Sequence, residues 1–157
     1  YLEESDKGII SVVQGSIGKK GMVLNCESRR THNIFTEAGI EHDYLHMDGQ
    51  EVYKFAVRQC PKCLLEALEK ADMTADDIDY FVLHQANVRI IESVAKRLKA
   101  PIEKFPMTLG YTGNMSAASV PVMLDSLVRD GGLKRGDKVA MSAFGAGLTY
   151  GAIVLEW

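Results

Sequence analysis

Three features of the sequence carry residue types that can take part in catalysis: His84, Asn114 and the glycine-rich run 144–151. His84 directly follows residues 78–83, an apolar run that is typical of a buried strand. Open α/β sheets bind their ligands just beyond the ends of such strands, so His84 is a candidate site residue. The alternative is a structural histidine whose ring is hydrogen-bonded to a neighbouring carbonyl group.

Asn114 lies among glycines and small residues in the run 110–119, which favours close backbone approach and a tightly packed helix start. An asparagine that occupies a turn or caps the helix explains the same pattern. The run 144–151 has bare backbone amides that can form an oxyanion hole, although an ordinary glycine hairpin explains them equally well. Each feature is inconclusive by itself.

Alternating strands and helices must position these residues. Apolar and β-rich runs predict five strands, at residues 9–13, 44–47, 78–83, 138–143 and 148–155. Helical spacing predicts helices at residues 52–71, 88–98 and 119–129. The first helix contains Pro61, where it is either kinked or restarted. This order of elements predicts an α/β fold with a mixed five-stranded sheet covered by helices.

Composition and charge limit the possible functions. The 157 residues, 46% hydrophobic and 25% charged, are typical of one globular domain. A net charge of -3 argues against a nucleic-acid partner, because that role needs a broad basic field. Neither a membrane span nor a signal peptide is apparent. Three cysteines do not make the regular framework of a secreted scaffold, so we expect a reducing, cytoplasmic location.

Four motifs resemble one family when they are taken together and in order. They are HQAN at residues 84–87, GNMSAAS at 113–119, AFGAGLTYG at 143–151 and an earlier stretch at 47–57. The set strongly resembles β-ketoacyl-acyl-carrier-protein (ACP) synthase III, a condensing enzyme of the thiolase fold. The resemblance is clear from about residue 44 to residue 157. It implies the C-terminal half of a thiolase-like fold, and a homodimer.

The ends of the chain lead to the same expectation. The first residue is not Met and residues 1–8 are polar, which indicates a start inside a longer protein, whereas the run 152–157 is typical of a natural terminus. We therefore expect an N-terminal strand and loop segment at residues 1–43, continuing from an N-terminal half, and a thiolase-like condensing-enzyme domain at residues 44–157.

The resemblance implies a mechanism. In this family a cysteine accepts an acyl group from acyl-CoA, and malonyl-ACP then loses carbon dioxide to give the carbanion that attacks the acyl-cysteine. By their motifs, His84 and Asn114 correspond to the two neutral donors that stabilise the enolate. Ala146 corresponds to the residue whose backbone amide binds the acyl-cysteine oxygen. This chain has alanine there, where many relatives have the third residue of FGGG.

The resemblance also implies binding residues. The positions that line the channel for CoA and pantetheine correspond to Ala86, Asn87, Arg89 and Phe144. The basic patch that receives the acidic carrier protein corresponds to Lys54, Arg89, Lys96 and Arg97. For Lys96 and Arg97, a solvated helix face is an equally good explanation. No metal is expected, because a metal site would need further Cys or His with ligand spacing and none is evident. No cofactor is expected either, and the implied substrates are acyl-CoA and malonyl-ACP.

The family's nucleophilic cysteine lies in the N-terminal half, and none of Cys26, Cys60 and Cys63 matches it. Cys60 and Cys63 have the spacing of a redox pair, but their place on the apolar stripe of a helix favours core packing. The expected function is the C-terminal catalytic domain of a synthase that initiates fatty acid synthesis, inactive without its N-terminal half. A non-catalytic half-domain for dimer pairing or carrier docking, or a synthase with another acyl substrate, remains open.

Overall fold

The computed structural model describes residues 7–26, 35 and 44–157. The strands in these residues are β1 (Gly8–Ser16), β2 (Leu24–Asn25), β3 (His46–Met47), β4 (Tyr80–Leu83), β5 (Lys138–Gly145) and β6 (Thr149–Glu156). The α-helices are α1 (Gly49–Lys70), α2 (Val88–Leu98), α3 (Leu109–Thr112) and α4 (Ser119–Arg129). None of the helices in the described residues is long and apolar enough to cross a membrane.

Four of the strands form one mixed sheet in the order β1-β6-β5-β4. Strands β4 and β5 are parallel, whereas β6 is antiparallel to both of its neighbours. The mixed α/β class is confirmed, but the predicted five strands are one too many for the sheet in the described residues. Of the predicted strand 44–47 only β3 is extended, and it pairs with β2 in a separate two-stranded ribbon. Helix α1 begins two residues after β3, so the chain turns away before a longer strand can form.

Helices cover the sheet on both faces. Phe81 and Ala140 belong to the core beneath α1 and α2, whereas Val82 and Val139 belong to a second core beneath α4. Neighbouring residues of a strand point to opposite faces, so β4 and β5 are buried on both sides. This three-layer packing holds the carboxyl ends of the parallel strands β4 and β5 at one edge of the sheet.

Strand β1 lies in the predicted N-terminal segment 1–43 and pairs along β6, from Gly8 opposite Glu156 to Ser16 opposite Thr149. It therefore shares one sheet with the predicted domain 44–157. Residues 27–34 and 36–43 of that segment lie outside the described residues, and the division of the chain at residue 43 stays a prediction.

Helix α1 runs without interruption through Pro61, so the alternative of a restart at that residue is wrong. A proline has no backbone N–H, so the carbonyl of Val57 loses its helical partner. Arg97 of α2 takes over that acceptor, with Nη1 donating to the Val57 oxygen at 3.4 Å. Helix α1 also begins at Gly49 rather than at residue 52, because the Asp48 side chain caps it.

Candidate active site

His84 immediately follows β4, and its backbone N–H donates to the carbonyl of Ser142 on β5 at 2.9 Å. The imidazole stands edge-on to the ring of Phe144, with centroids 5.2 Å apart and planes at 76°. Neither ring nitrogen has a hydrogen-bond partner among the described residues, so the alternative of a ring bonded to a carbonyl group is wrong there. Burial lowers the pKa of His84 below its ordinary value, which keeps the ring neutral at pH 7.

Asn114 is exposed in the loop between α3 and α4. Its Oδ1 accepts a hydrogen bond from the Ser116 N–H at 2.9 Å, within a turn that has positive φ angles of 66° at Gly113 and 51° at Ser116. The turn interpretation is therefore confirmed for the oxygen of the carboxamide. The Nδ2 group has no partner in the part of the chain that the structure describes, so its hydrogens are available to a ligand.

The turn between β5 and β6 holds Ala146, which is exposed. The Ala146 carbonyl accepts from Thr149 Oγ1 at 3.0 Å, whereas its N–H has no acceptor within the described residues. The next residue, Gly147, has a φ of 132°, and a Cβ there would lie 2.7 Å from the Thr149 methyl. Glycine is thus required at 147 but not at 146, which accounts for the alanine in this turn.

Two of these groups lie at one edge of the sheet, and the third follows a connector that is anchored there. His84 and Ala146 follow the carboxyl ends of two adjacent parallel strands. The connector that leads to Asn114 is held there by a hydrogen bond of 3.2 Å from the Thr108 N–H to Gln85 Oε1. His84 and Asn114 make no direct hydrogen bond to each other. Three neutral N–H donors without partners suit an anionic oxygen, and no metal-binding cluster lies within the described residues.

A cleft of about 550 Å³ opens beside the N-termini of α1 and α2. Its lining residues are Gly49, Gln50, Tyr53, Lys54, Asn87 and Arg89. The Arg89 guanidinium lies over the Tyr53 ring, 5.7 Å from its centroid. Asn87 caps α2 through Oδ1, which accepts from the Arg89 N–H at 2.9 Å. The structure thus brings together Lys54, Asn87 and Arg89 from the predicted binding residues.

The remaining predicted binding residues lie outside this cleft. Lys96 and Arg97 are exposed toward the end of α2, and Arg97 is engaged with the Val57 carbonyl of α1. Ala86 is half-buried and packs on the main core, and Phe144 packs on both His84 and Phe55. Their predicted roles stay predictions.

Glu51 neutralises part of the basic surface at the cleft. Its two carboxylate oxygens accept from Lys20 and Lys54, each at 2.9 Å. The hydrogen bonds from Lys54 and Lys20, of which that from Lys54 is the larger cause, and the charges of both lysines lower the pKa of Glu51 to about 2. The two ammonium groups and the one carboxylate therefore have a net charge of about +1.

Cys60 and Cys63 are buried in the main core, which confirms the prediction of core packing. Burial raises the pKa of Cys60 to about 12, and it also raises the pKa of Cys63. The Cys63 sulfur lies 3.3 Å from the Cys60 carbonyl oxygen and 3.5 Å from the Ser142 hydroxyl. Neither thiol has the thiolate character of a nucleophile.

Sequence reasoning missed three residues near the site: Glu51, Tyr53 and Gln85. Glu51 had a local signal, because an acidic residue three positions after Asp48 is a helix-start pattern. Tyr53 and Gln85 lie within motifs shared with the family, but their contacts could not be read from the sequence, since their partners lie on other elements.

Comparison with known proteins gives consistent results. Residues 68–157 match the family described as 3-oxoacyl-[acyl-carrier-protein (ACP)] synthase III C terminal. The chain is 46% identical to the beta-ketoacyl-[acyl-carrier-protein] synthase III of Synechococcus sp. (strain WH7803), over 99% of this chain and 48% of that protein. The crystal structure of 3-oxoacyl-[acyl-carrier-protein] synthase III from Aquifex aeolicus VF5 matches with a TM-score of 0.86 and 34% identity, over 99% of this chain and 46% of that one. The synthase III from Thermus thermophilus matches with a TM-score of 0.85 and 40% identity, over 98% and 47% of the two chains.

These matches confirm the predicted fold class, the C-terminal half of a thiolase-like fold. The chain spans about half the length of the relatives that it matches.

Proposed function

Because the chain belongs to the family of 3-oxoacyl-ACP synthase III C-terminal domains, we propose that it supplies the decarboxylation centre of a β-ketoacyl-ACP synthase III. In this proposal the chain works beside an N-terminal half that contributes the nucleophilic cysteine. The two halves together are called the assembled enzyme below. The substrates are acyl-CoA and malonyl-ACP, and the reaction needs no metal or further cofactor.

His84 and Asn114 act on the malonyl thioester. The bond between the carboxylate carbon and the α-carbon breaks, carbon dioxide leaves, and the electron pair passes to the thioester oxygen as an enolate. The His84 ring N–H and the Asn114 Nδ2 hydrogens donate to that oxygen. Neutral donors fit this step, because a cation beside the substrate would also stabilise the carboxylate that must be lost.

The enolate carbon then attacks the acyl-cysteine carbonyl. The new carbon–carbon bond forms, the carbon–sulfur bond breaks, and the cysteine leaves as a thiolate. The Ala146 N–H donates to the oxygen of the tetrahedral intermediate between these events. Its lack of an acceptor within the described residues supports that role.

The observation that carries the proposal is that His84 and Ala146 hold donors without partners among the described residues, beyond the ends of the adjacent strands β4 and β5. The connector that leads to Asn114 is hydrogen-bonded to Gln85 beside them. The lowered pKa of His84 adds to it, because the ring stays an uncharged donor at pH 7. The motifs that contain these donors are those shared with the family.

The cleft supports binding of the carrier arm and the carrier protein. Lys54 and Arg89 line it with positive charge, and Asn87 lines it at the start of α2. Pantetheine enters along Ala86, Asn87, Arg89 and Phe144. The acidic carrier protein docks on Lys54, Arg89, Lys96 and Arg97, where opposite charge speeds the encounter.

Exposed apolar side chains support the N-terminal half and a second copy of the enzyme as partners. On β1 the exposed fraction is 68% for Ile9 and 47% for Val12, and near β3 it is 68% for Leu45 and 59% for Met47. Apolar surface of this kind is commonly covered by another chain or lobe. The reduced thiols of Cys60 and Cys63 favour a cytoplasmic location.

The test is synthesis of acetoacetyl-ACP from acetyl-CoA and malonyl-ACP. The assembled enzyme should form the product, and the 157-residue chain alone should form none. Product from the chain alone would contradict the need for an N-terminal cysteine. Failure of the assembled enzyme to decarboxylate malonyl-ACP would contradict the proposal and favour a non-catalytic half-domain.

A further inference from the structure

Gln85 is a polar side chain with no exposed surface, lying between the end of β4 and the connector before α3. Its Nε2 donates to the carbonyls of Leu83 at 3.0 Å and Pro106 at 3.4 Å. Its Oε1 accepts from the Thr108 N–H at 3.2 Å. A buried amide is costly unless its groups are paired, and here the donor and the acceptor are both used.

These hydrogen bonds join the chain segments that carry the two proposed catalytic side chains. Leu83 is the last residue of β4 and directly precedes His84. Thr108 directly precedes α3, the helical turn that leads to Asn114. That turn is tied back to the same residue, because Thr112 Oγ1 donates to the Thr108 carbonyl at 3.0 Å. A continuous path of hydrogen bonds thus runs from the neighbour of His84 to the loop of Asn114.

The connector has a second, apolar anchor. The rings of Phe105 and Phe81 stack with centroids 4.7 Å apart and planes at 9°. Stacked rings hold the connector against β4, but an apolar contact is not directional and tolerates a sideways shift. The hydrogen bonds of Gln85 are directional, so they set where along the strand end the connector lies.

We infer that Gln85 is a positioning residue that fixes the separation between the His84 and Asn114 donors. The inference rests on the proposed function, in which both donors must reach one thioester oxygen. An error of about 1 Å in such a geometry can lower a rate about a hundredfold. Gln85 touches no reacting atom and acts only through the connector that carries Asn114.

Two substitutions of Gln85 test the positioning role. Gln85→Leu keeps the approximate size of the side chain but leaves the Thr108 N–H and two carbonyls without their partner. Gln85→Glu is conservative only when protonated, because a neutral carboxyl accepts from Thr108 and donates to one carbonyl, whereas the carboxylate has no donor. The matched control is Ser11→Ala, which removes another buried hydrogen bond, from Ser11 Oγ to the Ala67 carbonyl on the other side of the fold.

The measurement is decarboxylation of malonyl-ACP by the assembled enzyme. We expect Gln85→Leu to lower kcat about tenfold to a hundredfold, with KM changed less than about twofold. In an Asn114→Ala background the same substitution should lower kcat by less than about twofold further, because the group being positioned is gone. Ser11→Ala should keep the parent kcat. Relative to the parent enzyme at the same pH, Gln85→Glu should recover activity as the pH falls from about 8 to about 6, where a buried carboxyl is protonated.

The positioning role would be overturned if Gln85→Leu lowered kcat by the same factor with and without Asn114→Ala. It would also be overturned if the rate of Gln85→Glu relative to the parent enzyme did not rise at lower pH. An equal loss of kcat in Ser11→Ala would also overturn it, since the effect would then follow stability alone. If Gln85→Leu does not fold, the Gln85→Glu enzyme at high pH replaces it in the comparison with and without Asn114→Ala. Full activity of Asn114→Ala would instead contradict the proposed function itself, and the positioning role with it.

Discussion

Replacing Asn114 separates the two functions of its carboxamide. Oδ1 holds the turn by accepting from the Ser116 N–H at 2.9 Å, and Nδ2 is the proposed donor to the enolate. Asn114→Asp keeps an oxygen for Ser116 but replaces the donor with a negatively charged acceptor. Asn114→Ala removes both functions and adds no charge. We therefore predict that the aspartate variant, although closer in shape, is the slower enzyme.

The expected magnitudes follow from the role of each atom. Loss of one oxyanion donor costs about 2.7 to 4 kcal/mol, or about a hundredfold to a thousandfold in kcat, and Asn114→Ala should show that loss. Asn114→Asp adds a charge about 4 Å from the enolate, which costs about 1 kcal/mol in water and about 4 kcal/mol at an effective dielectric constant of about 20. Because Asn114 is exposed in this chain, we use the lower end of that range. The aspartate variant should then be about fivefold slower than the alanine variant.

The assay is release of carbon dioxide from malonyl-ACP by the assembled enzyme under single-turnover conditions. Thermal unfolding of each variant controls for loss of structure. Transfer of an acyl group from acyl-CoA to the enzyme should be unchanged in both, since that step does not use Asn114. An aspartate variant as fast as the alanine variant, or faster, would refute the assignment of Nδ2 as the donor.

Three further predictions concern ionisation. Because burial lowers the pKa of His84, the acid-side midpoint of malonyl-ACP decarboxylation should lie below pH 6.5, where the ring protonates. A midpoint above pH 6.5 would contradict this. In the native chain the thiols of Cys60 and Cys63 should resist a disulfide reagent at about pH 8 and react after unfolding, because burial disfavours their thiolates. Rapid labelling of either thiol in the native chain would contradict their burial. Glu51→Gln should lower KM for malonyl-ACP severalfold at low salt, because it releases Lys20 and Lys54 from their ion pairs. The effect should be absent at high salt, and it should also be absent in Asp125→Asn, a control that removes the same charge from another ion pair.

The long periodic segments of the fold could be predicted from the sequence because their signals are local. The helix at residues 119–129 coincides with α4, and the strand that precedes His84 was placed within two residues of β4. The short strand near residue 46 was assigned to the wrong sheet, because its partner β2 pairs with it across a long separation in the chain. A backbone run of two residues carries no period that would reveal such a partner.

In the candidate site too, local motifs could be predicted from the sequence and contacts between distant segments could not. His84 and Asn114 could be identified because each lies in a motif that is continuous in the chain. The bond from Thr108 to Gln85, which brings their segments together, joins residues 23 positions apart. The contact of Arg89 with the Tyr53 ring likewise joins two helices. Contacts of this kind depend on tertiary packing, and neither residue type nor spacing in the sequence predicts them.

In the proposed function this chain performs decarboxylation while the acyl group is carried by a cysteine of the other half. The most direct test measures the two half-reactions separately in the assembled enzyme carrying His84→Ala together with Asn114→Ala. Mass spectrometry of the enzyme after incubation with acetyl-CoA should show normal acetylation, and carbon dioxide release from malonyl-ACP should be abolished. Normal carbon dioxide release from that variant, or loss of acetylation with decarboxylation intact, would contradict the account.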